Sequence, residues 1–285
     1  MNTTGEISST LGWRGNGDTA VSAIRQLRQE NAPAPSVLSV QGISVAYGER
    51  IVLKNIICGF AQGEIAAIMG PSGCGKSTLL RVLNRTLELN PQARLLSGSV
   101  IFHDEDIHRR GIYPASVRKR IGLIHQRPVP FPMSILEDVL FGARYHGLLK
   151  GISAADYARR YLEQVGLWNE VKDRLSDRAE SLSGGQQQRL CLARTLANQP
   201  EMILMDEPCS SLDPAATQQI EELILGLKPR YTIVVVTHNL AQSSRISDRA
   251  IFMLGGEIIE DGLTEQIFTD PRSNLTRDFI SGRIG

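Results

Sequence analysis

Apolar and polar positions change rhythm repeatedly along the chain, and the changes mark out its elements. From Val37 the spacing is of β type, with strand-like stretches over 39–46 and 52–60 separated by the turn residues Tyr47, Gly48, Glu49 and Arg50. Residues 64–69 form a short apolar run of buried-strand type, and 78–84 have helical composition and spacing. A further turn and strand occupies 95–102, a polar loop spans 104–114, and 121–125 reads as another strand ending at Gln126. Pro128, Pro130 and Pro132 then exclude regular structure. Residues 134–173 turn helical, with a break at Gly147 and Gly151. Helical spacing returns over 187–198 and 214–227, the latter with Pro214 in its first turn. Between them, 202–205 is an apolar run that ends in Asp206 and Glu207. A strongly β-branched strand over 231–236 ends at Thr237 and His238. A strand pair over 250–254 and 257–260, joined by Gly255-Gly256, and two helical segments close the chain.

Strands alternating with helices predict an α/β fold, and a helical block set between sheet elements predicts an inserted subdomain at about 127–196. Four strand ends, Met69, His125, Met205 and Val236, are expected to converge at one edge of a parallel sheet, where open α/β sheets bind ligands. Residues 1–36 differ from the rest. They are polar and rich in Gly, Ser, Thr and Asn, and predict a disordered or weakly ordered extension, within which 20–30 has the spacing of a short amphipathic helix.

Composition narrows the function classes. A formal net charge of +1 gives no electrostatic case for nucleic-acid binding. No apolar run approaches the roughly 20 residues needed to cross a bilayer, so membrane association is expected only through a partner. The four cysteines lack C-x-x-C spacing, which argues against a structural zinc site or a disulfide framework. Cys74 is expected at a helix N-terminus, where a thiolate is stabilised and a redox role conceivable, although a small residue that simply fits its loop is the plainer reading. The basic cluster over 117–120 is expected to be a solvated face.

The chemistry is concentrated in Gly70-Pro71-Ser72-Gly73-Cys74-Gly75-Lys76-Ser77-Thr78, a G-x-x-x-x-G-K-S pattern between a predicted strand and a predicted helix. Glycines let such a loop curl so that backbone N–H groups point at phosphate oxygens, and the helix behind it adds the partial positive charge of its N-terminus. Lys76 is expected at the β- and γ-phosphates and the Ser77 hydroxyl on Mg²⁺. Such a loop needs a carboxylate at a strand end, and Asp206 fits that metal-binding role. Glu207, just past the strand, is placed to polarise the attacking water as general base. An Asp-Glu pair after a strand otherwise only caps a helix; the upstream loop favours the catalytic reading. Gln126 and His238 share the strand-end placement, open to a structural or a phosphate-directed role.

Leu182-Ser183-Gly184-Gly185-Gln186, together with the ordered loop, strand-end carboxylates and His238, resembles the nucleotide-binding domain of ABC transporters over about residues 37–285. The resemblance implies a P-loop NTPase with a mainly parallel core sheet, an N-terminal antiparallel β subdomain and an inserted α-helical subdomain, binding ATP and Mg²⁺. It implies that Tyr47 stacks on adenine, and that Gln126 is the glutamine that reaches the metal and catalytic water. It further implies that Ser183, Gly184, Gly185 and Gln186 face the γ-phosphate held by a second copy, Asp213 lies at that interface, and His238 contacts the γ-phosphate. Residues 131–134, 142–147, 205–209, 236–239, 264–269 and 281–285 resemble the ATP-binding subunits of phosphate importers. That implies a head-to-tail homodimer on the cytoplasmic face of the cell membrane, two integral membrane permease subunits, an extracytoplasmic phosphate-binding protein as indirect partner, and no nucleic acid. The long extension, Ser211 and Asp138 depart from that pattern.

Three rival readings compete. A DNA-acting relative would carry a long coiled coil between loop and pentapeptide, and a ribosome-acting one usually two cassettes; neither is visible here. A GTPase or kinase lacks the pentapeptide. An importer ATPase for another solute, such as polar amino acids, is the serious alternative, because the chain itself never touches the solute.

Overall fold

The computed structural model describes residues 36–284. The expectations for the extension, including the helix over 20–30, fall outside the described residues except at Ser36, which already opens the first strand. β1 (Ser36–Tyr47) and β2 (Arg50–Ala61) form a hairpin about Gly48-Glu49, with Tyr47 paired to Arg50. After β3 (Ile65–Met69) and helix α1 (Lys76–Leu83), β4 (Ala93–Phe102) returns to the free edge of β1, and the two-residue β5 (Glu105–Asp106) completes an antiparallel sheet ordered β2-β1-β4-β5. The sequence suggested a turn before a strand at 95–102, but β4 is one strand. Ser97-Gly98-Ser99 faces a register shift in β1, and Gly98 (φ +90°) presses on Gln41 and Gly42 where a side chain would clash. The turn signal was that of a bulge.

The second sheet carries the function. Its order is β10-β9-β3-β8-β7-β6, built from β6 (Ile121–Ile124), β7 (Met202–Asp206), β8 (Thr232–Val236), β9 (Arg249–Leu254) and β10 (Glu257–Leu263). All neighbours are parallel except the terminal pair β9–β10. Every residue of β3 and β8 is buried, as a sheet covered on both faces demands. Alternation along β8 divides the core. Ile233 and Val235 join the cluster under the helical block, whereas Val234 and Val236 join the one shared with α1 and the antiparallel sheet.

The remaining helices are α2 (Pro114–Arg120), α3 (Ile135–Tyr145), α4 (Ala154–Gln164), α5 (Trp168–Val171), α6 (Gly184–Leu196), α7 (Pro214–Leu227), α8 (Leu240–Ile246), α9 (Thr264–Thr269) and α10 (Asn274–Ile280). The basic cluster over 117–120 lies in α2 and is more than a solvated face. Arg118 donates to the Arg85 carbonyl at 2.7 Å, and Arg120 donates to Glu201 at 2.5 Å while lying over the Phe102 ring.

In the helical block, Ser134 and Glu137 form a reciprocal cap on α3. A buried ion pair ties this helix to α6 and to the proline-rich stretch. Asp138, fully buried, accepts from Arg194 at 3.0 and 3.1 Å and from the Phe131 N–H at 2.6 Å. Arg194 also donates to the Val129 carbonyl at 3.1 Å, with its guanidinium 4.0 Å from the Phe131 ring centroid. Removing one partner of such a pair strands the other in a place water does not reach. Asp138→Ala should lower unfolding free energy by about 3–5 kcal/mol in urea denaturation, and Asp138→Asn by clearly less, because the amide oxygen still accepts.

Candidate active site

The register of the parallel strands sets Ile68 opposite Val236, Asp206 opposite Val236, and Ile124 opposite Met205, so the C-terminal ends of β3, β8, β7 and β6 form one line. The loop of residues 70–75 leaves β3 on that line and delivers the chain into α1. Gly70 (φ +151°), Gly73 (φ +77°) and Gly75 (φ +111°) all take left-handed conformations. At two of them space is lacking as well: a Cβ on Gly70 would strike the Met253 carbonyl, and one on Gly75 would come within 2.6 Å of Leu53. No side chain caps α1, so the N–H groups of its first turn have no side-chain acceptor among the described residues. Lys76 is buried, and its ammonium lies within the loop, donating to the carbonyls of Gly70 at 2.7 Å and Pro71 at 2.9 Å. Pro71, Ser72 and Thr78 complete the stretch, with Thr78 buried in the first turn of α1.

The Ser77 hydroxyl donates to Asp206 Oδ1 at 2.9 Å, joining the loop to the end of β7. Burial pushes the Asp206 carboxyl up from its ordinary range, the Ser77 hydrogen bond opposes this, and neighbouring Glu207 adds to it. Glu207 follows in a left-handed conformation (φ +49°), which for a residue with a Cβ costs on the order of 1 kcal/mol. The backbone is held there by its N–H donating to the Val236 carbonyl at 2.8 Å. This turn aims the carboxylate across the strand ends. Glu207 Oε2 accepts from Gln126 Nε2 at 3.0 Å and lies 3.1 Å from His238 Nδ1. Glu207 is mostly buried, at 16% side-chain exposure, and His238 is open to solvent at 57%.

Residues predicted from far-apart stretches, Lys76, Ser77, Gln126, Asp206, Glu207 and His238, thus meet at one sheet edge. Ser210 was missed; its hydroxyl accepts from Gln126 at 3.2 Å, and the only signal was its place two residues beyond Pro208 in a serine-rich turn. Gly256 was read only as a turn. Its N–H donates to the Cys74 carbonyl at 3.1 Å, and its carbonyl accepts from Lys54 at 2.8 Å, so it braces the loop from outside.

Other predicted residues lie elsewhere. Tyr47 closes β1, half-buried against the core, with a buried hydroxyl that has no partner. Ser183 caps α6, which begins at Gly184 rather than at Gln187, because the two glycines continue into a helix once a serine caps it. Gln186 completes that cap and also donates to Glu170 at 2.8 Å, beside the bidentate Arg189–Glu170 pair. Gly185 packs against Ala216 of α7, and Asp213 caps α7 by accepting from the Ala215 and Ala216 N–H groups, both at 3.0 Å. No hydrogen bond among the described residues joins Ser183, Gly184, Gly185, Gln186 or Asp213 to the loop of 70–78.

A family model described as ABC transporter matches residues 53–210. The chain belongs to the ABC transporter family. Within it, the chain is 47% identical over 249 residues to the phosphate import ATP-binding protein PstB of Desulfitobacterium hafniense (strain Y51), covering 87% of this chain and 96% of that protein. It is 46% identical to PstB 2 of Synechococcus sp. (strain JA-2-3B'a(2-13)), again over 87% of this chain and 96% of the other. A solved structure, cbiO1 from Clostridium perfringens, part of the ABC transporter complex cbiONQ, superposes with a TM-score of 0.70 at 26% identity, over 87% of this chain and 96% of that one. As an ABC family ATPase the chain binds ATP, and its α/β architecture is that of the family. Among the described residues no helix is long and apolar enough to cross a membrane.

Cys74 of this ABC protein does not behave as a helix N-terminus alone would suggest. Burial pushes its thiol up, against the lowering effect of Lys76. Cys58 and Cys191 are pushed up for the same reason, and Cys209 rises to about 11. A raised thiol pKa means less thiolate at a given pH, about one part in a thousand for Cys209 at pH 8. Iodoacetamide at pH 8 should therefore modify the folded chain at least tenfold more slowly than the urea-unfolded chain, with the folded rate still rising above pH 9; mass spectrometry of each site measures it.

Proposed function

We propose that this chain is the ATP-hydrolysing subunit of an importer that carries inorganic phosphate across the cell membrane. The observation that carries the ATPase chemistry is the hydrogen-bonded set Ser77–Asp206 and Gln126–Glu207–His238 at one strand-end line. The solute rests on kinship at 46–47% identity with proteins named as phosphate import subunits.

In this reading the loop N–H groups and Lys76 bind the β- and γ-phosphates, with Lys76 exchanging its loop carbonyls for phosphate oxygens. Tyr47 stacks on the adenine. The hard oxygen donors Ser77 Oγ and Asp206 Oδ1, 2.9 Å apart and largely out of water, suit Mg²⁺, with Gln126 as a further oxygen ligand. A metal held there would neutralise phosphate charge. Glu207 Oε2 takes the proton of the attacking water, His238 holds that carboxylate and reaches toward the γ-phosphate, and Gln126 orients the water through the same oxygen.

The start of α6 serves a second copy. Nothing lies within 4 Å of where a Gly184 Cβ would sit, so a phosphate can approach the N–H groups that follow Ser183. Ser183, Gly184, Gly185 and Gln186, with Asp213 alongside, would then close over ATP bound by the partner, head to tail. Two permease subunits and, through them, an extracytoplasmic phosphate-binding protein complete the assembly, on the cytoplasmic face. Exposed Val129, within the stretch that follows Gln126, and exposed Phe141, whose ring centroid is 4.9 Å from that of Phe131 in the same stretch, support the docking of a membrane partner there.

Glu207→Gln should retain ATP binding and accumulate a nucleotide-bound dimer in size-exclusion chromatography, with steady-state hydrolysis reduced about 10²–10⁴-fold. Hydrolysis within a few-fold of wild type would rule out Glu207 as the base. In cells lacking this gene and any paralogue, wild type but not Glu207→Gln should restore high-affinity phosphate uptake. Unchanged phosphate uptake on deletion would leave the ATPase assignment in place and move the solute to another class.

A further inference from the structure

The backbone N–H groups at the start of α6 fall into two sets. Ser183 N–H donates to Gln186 Oε1 at 3.0 Å, and Gln186 N–H donates to Ser183 Oγ at 3.4 Å. The N–H groups of Gly184 and Gly185 have no acceptor among the described residues. The reciprocal cap depends on which way the Gln186 amide faces, because its oxygen accepts whereas its nitrogen only donates. Glu170 decides that. Its Oε2 accepts from Gln186 Nε2 at 2.8 Å. An ionised carboxylate can only accept, so turning the amide over would set oxygen against oxygen at Glu170 and N–H against N–H at Ser183. Both ends of the side chain therefore select one orientation.

Glu170 is itself held in place. It lies in α5 beside buried Val171, and Arg189, only 8% exposed, donates to its Oε1 at 2.7 Å and its Oε2 at 3.1 Å. Arg189 also donates to the Gly166 carbonyl at 3.0 Å, which ties the pair to the turn after α4. The Arg189 hydrogen bonds hold the Glu170 carboxyl below the usual carboxylate range, so it remains an acceptor at neutral pH. The guanidinium also offsets a negative charge that would otherwise oppose an anion at the start of α6. Glycine loses more backbone freedom on ordering than any other residue, so a start that is already held costs an arriving phosphate less. We infer that Glu170 is a positioning residue for ATP bound by the second copy: through Gln186 it holds the start of α6, so that the N–H groups of Gly184 and Gly185 meet the γ-phosphate already ordered. This role rests on the reading above in which the start of α6 serves a second copy.

The test is sedimentation equilibrium of the full chain with ATP and Mg²⁺, in the Glu207→Gln background. Adding Glu170→Ala should weaken the ATP-dependent dimer by about tenfold or more, while ATP binding to the dilute single chain, read with a fluorescent analogue, stays within about twofold. Gln186→Ala should also weaken the dimer by about tenfold or more. Once it is present, Glu170→Ala should add less than about twofold, because two residues that act through one contact are not additive. Thermal melts by circular dichroism check folding. Glu170→Ala combined with Arg189→Met, which removes the cation otherwise left stranded, serves if Glu170→Ala alone fails to fold. Equal dimer affinity with and without Glu170 would overturn the positioning role and leave the second-copy reading standing. Independent, multiplicative losses from Glu170→Ala and Gln186→Ala would overturn it too, since Glu170 would then support the fold and not the amide. Absence of any ATP-dependent dimer in Glu207→Gln itself would overturn both.

Discussion

Parallel pairing in register is the constraint on which everything else here depends. Because Ile68 lies opposite Val236 and Asp206 lies opposite the same residue, the residues that follow β3, β8 and β7 emerge at one level. A one-residue slip of β7 would send Asp206 to the other face of the sheet and separate it from Ser77. The apolar strands that enforce the register carry no chemistry themselves. Their burial on both faces fixes where three loops begin, and the polar residues at those beginnings inherit the precision.

Glu207 shows how that precision is used. A carboxylate one residue past an extended strand would ordinarily continue along the strand direction. The left-handed backbone at Glu207, pinned by the Val236 carbonyl, turns it across the sheet edge toward Gln126 and His238. A strained conformation that the surrounding sheet over-determines is common where geometry serves chemistry. The hydrogen bond to β8 and the two side-chain partners offset its cost.

Much of this was legible in the sequence, for definite physical reasons. Period-two alternation, continuous apolar runs and a proline at the start of α7 located most strands and helices to within a few residues, since each reflects local backbone geometry and burial, but the short helices α2 and α8 were not anticipated. The glycine loop and the strand-end carboxylates were legible because phosphate binding demands particular backbone freedom at fixed spacing. What stayed hidden was set by long-range pairing. Gln126 meets Glu207 across 81 residues of chain, and Asp138 meets Arg194 across 56. Neither partner announces the other, because the first contact exists only once β6 pairs with β7 and the second only once α3 packs on α6. Arg118 misled for the same reason: a charge run looks solvated until the carbonyl it binds, at Arg85, is known.

The brace on the phosphate loop has a consequence for how the chain comes into being. Gly70 is pressed by the Met253 carbonyl, and Cys74 is bonded by the N–H of Gly256, so the loop's final shape requires a segment near the end of the polypeptide. Translation proceeds at about 5–20 residues per second, which places roughly 10–40 seconds between synthesis of Gly70 and synthesis of its brace. Over that interval the loop has its sequence but lacks its scaffold. Nucleotide can thus be gripped only by a chain whose sheet is essentially complete, and ATP affinity becomes a late marker of correct folding.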